Sequence, residues 1–198
     1  MGIISAMINE KNVLEMSLGD TLIWKLQQEE ESTELNFVYP FNQTSDKTFD
    51  LSRAIVNDSY SFVVDNNTQQ LKSDSNYNVN SSKCFAYIAV NVKEGKNITI
   101  NIDYNVSSES NWDLCCLYYT NTIPTSYPDY SVIKATPFKE SFGTRLMFDS
   151  GVSAKSAGYV INNTIEGTYY FIYGYTKDSS QNKNNDRFYI NSINIKIE

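Results

Sequence analysis

The chain has 198 residues, of which 41% are hydrophobic and 14% aromatic, with a formal net charge of -7 and no histidine. This hydrophobic content excludes a disordered chain, and a chain of this length can bury a core without disulfides or a metal ion. The absence of histidine excludes the usual Ser-His-Asp and Cys-His catalytic sites and His-ligated metal sites, and the acidic charge without grouped Lys and Arg argues against nucleic acid as a partner.

The N-terminal residues predict an apolar hairpin over Val13–Lys25, with a turn at Leu18-Gly19-Asp20. An isolated two-stranded hairpin is marginal in water, so this one must pack on its own domain or on a partner. We therefore expect residues 1–25 to form an anchoring module. Its candidate partner-binding residues are Leu18, Gly19, Asp20, Leu22, Ile23 and Trp24.

A polar segment, residues 26–48, follows the hairpin. Its acidic start, residues 26–32, favours a solvated linker, although one or two helical turns are an alternative. Farther along, Pro40 interrupts an alternation of aromatic residues and demotes any strand there to a sheet edge. We expect an acidic and polar linker over residues 26–48.

From about residue 60 the pattern is that of β-strands. Residues 84–92 and 97–104 predict two strands that form a hairpin around Glu94-Gly95. Residues 114–119 are apolar on both faces, which is typical of a central strand. Residues 123–137 hold three of the four prolines and predict a long loop.

Short strands separated by turn residues, with no long helical pattern between them, predict an all-β fold. About eight strands over residues 49–198 favour a β-sandwich, jelly-roll-like in arrangement. The predicted organisation is an N-terminal hairpin module (1–25), a linker (26–48) and a β-sandwich domain (49–198).

The cysteines are Cys84, Cys115 and Cys116, an odd number with one adjacent pair. This is not the spaced, even set of a disulfide framework, so we expect buried, reduced thiols. A bridge from Cys84 to Cys115 or Cys116 stays open if their strands are neighbours.

The N-terminal stretch is interrupted by Asn9, Glu10 and Lys11, too early for the apolar part of a signal peptide. No run approaches the ~20 apolar residues of a membrane span. We expect a protein made in a cytoplasm, or carried from one as part of a particle, with no membrane partner.

Two polar signatures are the segments that differ most from generic sheet: residues 108–113 (SESNWD) and residues 177–187 (KDSSQNKNNDR). Both lie beside aromatic, strand-forming runs, which predicts loops at strand ends. Their acidic and aromatic side chains are the candidate loop-end site: Glu109, Trp112, Asp113, Asp178 and Asp186.

Three interpretations of these carboxylates are open. Asp and Asn side chains can cap turns by accepting backbone hydrogen bonds, with Lys177 or Arg187 pairing with one of the acids. The acids could instead bind a calcium ion, which takes several oxygen ligands from loops. A carboxylate pair for glycoside hydrolysis is the third. No substrate-positioning motif accompanies them, so we expect no enzymatic activity, no catalytic residue and no cofactor other than the candidate calcium.

Three pieces of the sandwich region and the hairpin carry a family resemblance. Residues 13–25, with the core LGDTLIWK, resemble an element near the starts of virion proteins of tailed phages of gut bacteria. Residues 81–87 (SSKCFAY), 108–113 and 175–187 are similar, in order, to a sandwich domain of fibre and appendage proteins of such phages and of related gut bacterial surface proteins.

The resemblance implies a non-enzymatic virion structural protein, such as a head fibre, a tail appendage or a capsid decoration protein. Its partners would be other capsid or tail proteins, it would oligomerise, with a trimer expected, and it would be located in the virion after assembly in the host cytoplasm. The alternative is a carbohydrate-binding module that mediates adhesion to host or mucosal glycans, to which Trp112 and the acids beside it point.

Overall fold

The computed structural model describes residues 4–8, 13–18, 21–25, 33–39, 41, 48–50, 62–73, 80–123, 127–136, 138, 140–180 and 183–198. The chain divides into two compact units, Met1–Ser32 and Thr33–Glu198. In chain order the elements are β1 (Ile4–Ile8), β2 (Val13–Leu18), β3 (Thr21–Lys25), β4 (Thr33–Val38), β5 (Thr48–Asp50), β6 (Phe62–Asp65), β7 (Gln70–Ser73), β8 (Lys83–Val92), β9 (Ile98–Ser107), β10 (Leu114–Thr120), α1 (Tyr130–Lys134), a 3-10 turn (Glu140–Phe142), β11 (Thr144–Asp149), β12 (Val152–Ile161), β13 (Gly167–Thr176) and β14 (Arg187–Ile197).

The N-terminal unit is a three-stranded antiparallel sheet in the order β1-β2-β3. The predicted hairpin is confirmed as β2 and β3, in which Met16 lies opposite Trp24. A third strand, β1, which the sequence did not predict, pairs with the other edge of β2. The predicted turn residues Gly19 and Asp20 lie outside the described residues, and partner binding by Leu18, Leu22, Ile23 and Trp24 stays a prediction.

The larger unit is a sandwich of two antiparallel sheets, which confirms the predicted all-β sandwich. One sheet has the order β11-β10-β13-β8-β5, and the other has the order β12-β9-β14-β7-β6 with β4 also paired to β14. The core between the sheets is built from alternate residues of the long strands, such as Ile88, Ile100, Leu117, Phe171 and Ile195, each fully buried. Burial of these side chains is the main source of stability.

The predicted linker over residues 26–48 is wrong for part of its length, because β4 belongs to the six-stranded sheet. β4 pairs with β14, and Phe37 lies opposite Ile193. The physical reason is an alternation that polar neighbours obscured: Leu35 and Phe37 are buried while the residues between and beside them are exposed. Residues 26–32, Pro40 and residues 42–47 of the predicted linker lie outside the described residues.

The predicted hairpin of residues 84–92 and 97–104 is also wrong. The two segments are strands, β8 and β9, but they belong to opposite sheets. The connection crosses between the layers, where the backbone N–H of Gly95 donates to Thr164 O at 2.7 Å. Gly95 has a φ of 79°, a conformation that favours glycine.

The outer face of the five-stranded sheet is covered by the segment predicted as a long loop. Within it, α1 and the residues around it place Tyr127, Ile133, Phe138 and Phe142 on the sheet. This cover explains why β10 is buried on both faces, as its apolar sequence predicted. Among the described residues, no helix has the length and apolar content of a membrane-spanning helix.

All three cysteines are buried and unbridged. Cys84 lies on β8 and Cys115 on β10, and β13 runs between these two strands. Their strands are therefore not neighbours, which is the condition that a bridge required. Burial raises the pKa of the Cys115 and Cys116 thiols, so both stay protonated at neutral pH.

Candidate functional site

The two polar signatures lie against each other at one end of the sandwich. Residues 108–113 connect β9 to β10, and residues 177–186 connect β13 to β14. Because β10 pairs with β13 and β9 pairs with β14, both connections leave the sheets at the same end. Asn184 Nδ2 donates to Ser108 O at 2.7 Å, which joins the two loops directly.

The first signature is a compact turn. Ser108 Oγ donates to Asp113 O at 3.0 Å, and the backbone N–H of Asp113 donates to Glu109 O at 3.3 Å. Asn111 adopts a φ of 70°, which asparagine tolerates better than most residues. The turn thereby directs the Asp113 side chain into the protein and leaves Trp112 outside.

A buried ionic cluster lies between the two signatures. The Lys177 ammonium is 3.2 Å from Asp113 Oδ2 and 3.2 Å from Asp186 Oδ2, and all three side chains are fully buried. The backbone N–H of Asp178 donates to Asp113 Oδ1 at 2.9 Å. We call Lys177, Asp113 and Asp186 the lysine triad.

The electrostatics of the lysine triad are dominated by desolvation. Burial raises the pKa of Asp113 to about 6, and the neighbouring Asp186 charge adds to the increase. The Asp178 N–H and the Lys177 ammonium act in the opposite direction but do not cancel it. With one cation for two carboxylates, the fully ionised triad carries a net negative charge in a site without solvent exposure.

The other two acids, Glu109 and Asp178, make contacts in the outer part of the same loop structure. Lys183 Nζ lies 2.9 Å from Glu109 Oε1, and Ser180 Oγ donates to Glu109 Oε2 at 3.3 Å. Asp178 accepts from the backbone N–H of Ser180 at 2.8 Å, which is the turn-capping role expected of aspartate. The two signatures are thus brought together as one interlocked loop structure.

The candidate loop-end acids therefore fall into two groups: Asp113 and Asp186 contact the buried Lys177, whereas Glu109 and Asp178 contact residues of the outer loop. The cation between Asp113 and Asp186 is the Lys177 ammonium, as in the turn-and-ion-pair interpretation. Across the described ranges, no group of three or more His, Cys, Asp or Glu side chains is placed to share a metal ion.

Trp112 is the exposed aromatic residue of the first signature, with 46% of its surface accessible. Lys134 Nζ lies 5.6 Å from the ring centroid and donates to Asn111 O at 2.8 Å, so the indole is partly covered by a cation. Asp113 and Glu109 are buried, so the acids that sequence reasoning placed beside Trp112 do not share its surface.

A groove that sequence reasoning missed lies where the two sheets end side by side. β11 is an edge strand of the five-stranded sheet and β12 an edge strand of the six-stranded sheet, and the groove between them has a volume of about 580 Å³. We call it the edge groove. It is lined by Tyr104, Arg145, Leu146, Met147, Phe148, Lys155, Ser156, Ala157 and Tyr159.

The polar side of the edge groove is organised by Asp149. Its Oδ2 lies 2.8 Å from Lys155 Nζ and accepts from Ser153 Oγ at 2.8 Å and from Tyr104 Oη at 3.3 Å. Burial acts against ionisation of Asp149, but the Lys155 ammonium, the Ser153 hydroxyl and the Ser150 N–H prevail and lower its pKa. Asp149 is therefore ionised at neutral pH and fixes the Lys155 ammonium.

The aromatic side of the edge groove is formed by Phe148, which is 43% exposed. The Arg145 guanidinium lies 4.7 Å from the centroid of its ring and also donates to Ala135 O at 3.0 Å. Tyr159, on β12, lines the same groove. The signature loop adjoins this region, since the Asn111 N–H donates to Ser150 Oγ at 3.0 Å in the β11–β12 turn.

Comparison with known proteins gives structural similarities only. No protein-family model matches the chain, and no curated protein matches it. The chain is similar to the unliganded BiXyn10A CBM1 (7% identity, 82% of this chain and 95% of that one, TM-score 0.41) and to TmCBM61 in complex with β-1,4-galactotriose (7%, 75% and 85%, TM-score 0.36).

A third similar structure is the enzymatically active domain of bacteriophage CBA120 tailspike protein 4 (11% identity, 80% of this chain and 20% of that one, TM-score 0.38). All of these TM-scores are low, so the assignment of the fold rests on the sheet order and burial of this chain itself. By that measure, the larger unit is an antiparallel β-sandwich with an edge groove and an interlocked loop end.

Proposed function

We propose that the larger unit is a carbohydrate-binding domain without catalytic activity, and that the edge groove is its binding site. The observation that carries the proposal is that an exposed aromatic ring, Phe148, lines one groove with the Lys155 ammonium and the Ser156 hydroxyl. Its volume of about 580 Å³ falls in the range of ligand sites, roughly 300–1,000 Å³.

Sugar rings suit such a groove because a pyranose has both an apolar face of C–H groups and a rim of hydroxyl groups. An exposed aromatic ring provides a flat surface for the apolar face. Arg145 limits the motion of the Phe148 ring, and Asp149 fixes Lys155, so less conformational entropy is lost when a ligand is bound.

The proposed absence of catalytic activity is supported by the ion pairs that hold the acids of the two signatures. Asp113 and Asp186 are buried against Lys177, and Glu109 is held by Lys183. A glycosidase needs two carboxyl groups on either side of a glycosidic bond, and these buried acids are not open to a substrate. We expect oligosaccharides incubated with the protein to remain intact.

A glycan array probed with the full chain tests the proposal. We expect binding that Phe148→Ala weakens by roughly 2- to 13-fold, the equivalent of about 0.5–1.5 kcal/mol for one aromatic contact. Trp112→Ala is the matched control, since that ring is equally exposed but lies outside the groove. No binding to any glycan, or equal losses for the two variants, would contradict the proposal.

A second function is favoured by the separate N-terminal unit. A small sheet, β1-β2-β3, forms a compact unit of its own, which suits an anchor that attaches the chain to a particle. We propose that this unit anchors the chain to capsid or tail proteins of a virion, as an oligomer. Deletion of residues 1–25 should abolish incorporation into particles, and undiminished incorporation would contradict the anchoring role.

A further inference from the structure

The lysine triad joins the two loops through three charged side chains whose burial has a large desolvation cost. Each buried ion loses its hydration, and an ion pair regains this free energy only with good geometry and further hydrogen bonds. Asp186 Oδ2 has no hydrogen-bond partner among the described residues, although it lies 3.2 Å from the Lys177 ammonium. The site thus contains an ammonium group and two carboxyl groups in contact and shielded from water, and one carboxyl oxygen, Asp186 Oδ2, lacks a hydrogen bond from the described residues.

We propose that Lys177 and Asp113 form an intramolecular amide bond, with Asp186 as the group that transfers the proton. The bond would join the Nζ atom of Lys177, directly after β13, to the Cγ atom of Asp113, directly before β10. These strands are already paired, with Leu114 opposite Thr176. The two side chains meet at 3.2 Å between Nζ and Oδ2, so the bond requires no rearrangement of the strands.

The reaction is a condensation that balances without any further reactant. A proton moves from the Lys177 ammonium to the Asp113 carboxylate, which leaves a neutral amine and a neutral carboxyl group. The amine nitrogen attacks Cγ, Asp186 accepts a proton from that nitrogen, and the same proton leaves with the departing hydroxyl as water. One C–N bond forms, one C–O bond breaks and Asp186 returns to its starting state.

The surroundings favour each part of this reaction. The Asp178 N–H donates to Asp113 Oδ1 at 2.9 Å, so it is placed to stabilise the negative charge that develops on this oxygen during the attack. Asp186 Oδ2 is available as a proton acceptor because it accepts no hydrogen bond from the described residues and lies 3.2 Å from Lys177 Nζ. Full burial of the three side chains excludes the water that would reverse the reaction.

The amide would replace two buried charges with a neutral group. It would also join covalently two positions that are 64 residues apart in the chain. A cross-link of this kind restricts the unfolded chain, as a disulfide does, and resists reduction. It would hold the ends of β10 and β13 together in a domain whose three thiols form no bridge.

Mass spectrometry of the intact, reduced and denatured full chain tests the proposal. We expect a mass lower than that of the sequence by one water molecule, and a branched peptide joining Lys177 to Asp113 after proteolysis. Asp113→Asn should lose ammonia instead of water, because the leaving group changes. Lys177→Arg keeps the positive charge but should show the full mass of its sequence.

The matched control is Lys183→Arg, which alters a half-exposed lysine outside the lysine triad and should still lose one water molecule. Asp186→Asn should accumulate the cross-link at least 10-fold more slowly. A parent protein that is folded, as its cooperative unfolding would show, but retains its full mass after prolonged incubation would overturn the proposal. A branched peptide that joins Lys177 to Asp186 would overturn the assignment of the acceptor.

Discussion

The substitution Gly174→Ala tests how the segment around α1 packs on the five-stranded sheet. Gly174 lies on β13 and faces this cover, where an added Cβ would lie 2.6 Å from Cys84 O and 2.6 Å from the Tyr127 ring. Ordinary carbon contacts are about 3.5–4.0 Å, so both neighbours would have to move by about an ångström. Neither is free to do so, since one is backbone and the other is a buried ring stacked on Phe85.

The expected cost follows from this geometry. Overpacking of a filled core costs roughly 1–3 kcal/mol, and we expect the upper half of that range because a backbone carbonyl is one of the obstacles. For a domain of this size each kcal/mol lowers the melting temperature by about 2–4 °C, so Gly174→Ala should lower it by roughly 4–12 °C. Thermal unfolding followed by circular dichroism measures the change.

Gly158→Ala provides the matched control for this experiment. Its added Cβ would also lie 2.6 Å from a neighbour, but that neighbour is the end of the exposed Asn101 side chain, which can rotate away. We expect a free energy of unfolding within about 0.5 kcal/mol of the parent's. Equal destabilisation by the two substitutions would contradict this packing, because it would mean that Tyr127 does not occupy the outer face of β13.

Two further predictions concern the ion pairs. Lys183→Met removes the half-exposed ammonium beside Glu109, which keeps the Ser180 hydroxyl as a donor, and should change the free energy of unfolding by less than about 1 kcal/mol in urea titrations; a larger loss would contradict the solvation of this ion pair through its lysine. Asp149→Asn should lower the free energy of unfolding at neutral pH. The difference from the parent should shrink as the pH falls below about 4. The reason is that the pKa of Asp149 is lowered in the folded state, so its contribution to stability exists only while it is ionised. A difference that is constant from pH 7 to pH 3 would contradict this role.

The sequence predicted the positions of the strands better than it predicted which strands pair with each other. The alternation in β9 and the two-sided apolar character of β10 are local properties, and both strands were predicted. The pairing of β8 with β9 was predicted from proximity along the chain, but the connection through Gly95 crosses between the sheets. Local patterns set which face of a strand is buried and carry no information on which layer it joins.

The same holds for the candidate sites: what is visible in the local sequence was predicted, and what depends on the arrangement of the sheets was not. The two signatures stood out because polar residues interrupt apolar strands, and the lysine triad joins them through residues that the sequence had singled out. The edge groove gave no such signal. Phe148 and Tyr159 lie on β11 and β12 among ordinary alternating residues, and they line one groove only because these strands form the edges of two stacked sheets.

The most direct test of carbohydrate binding at the edge groove is an NMR titration of the isotope-labelled full chain with the tightest-binding oligosaccharide from the array. Binding at the edge groove predicts saturable shifts of the backbone amides of β11 and β12, largest around Phe148, Lys155 and Tyr159, with little change at Trp112. Shifts confined to Trp112 and its loop, or no saturable shift with any oligosaccharide, would contradict it.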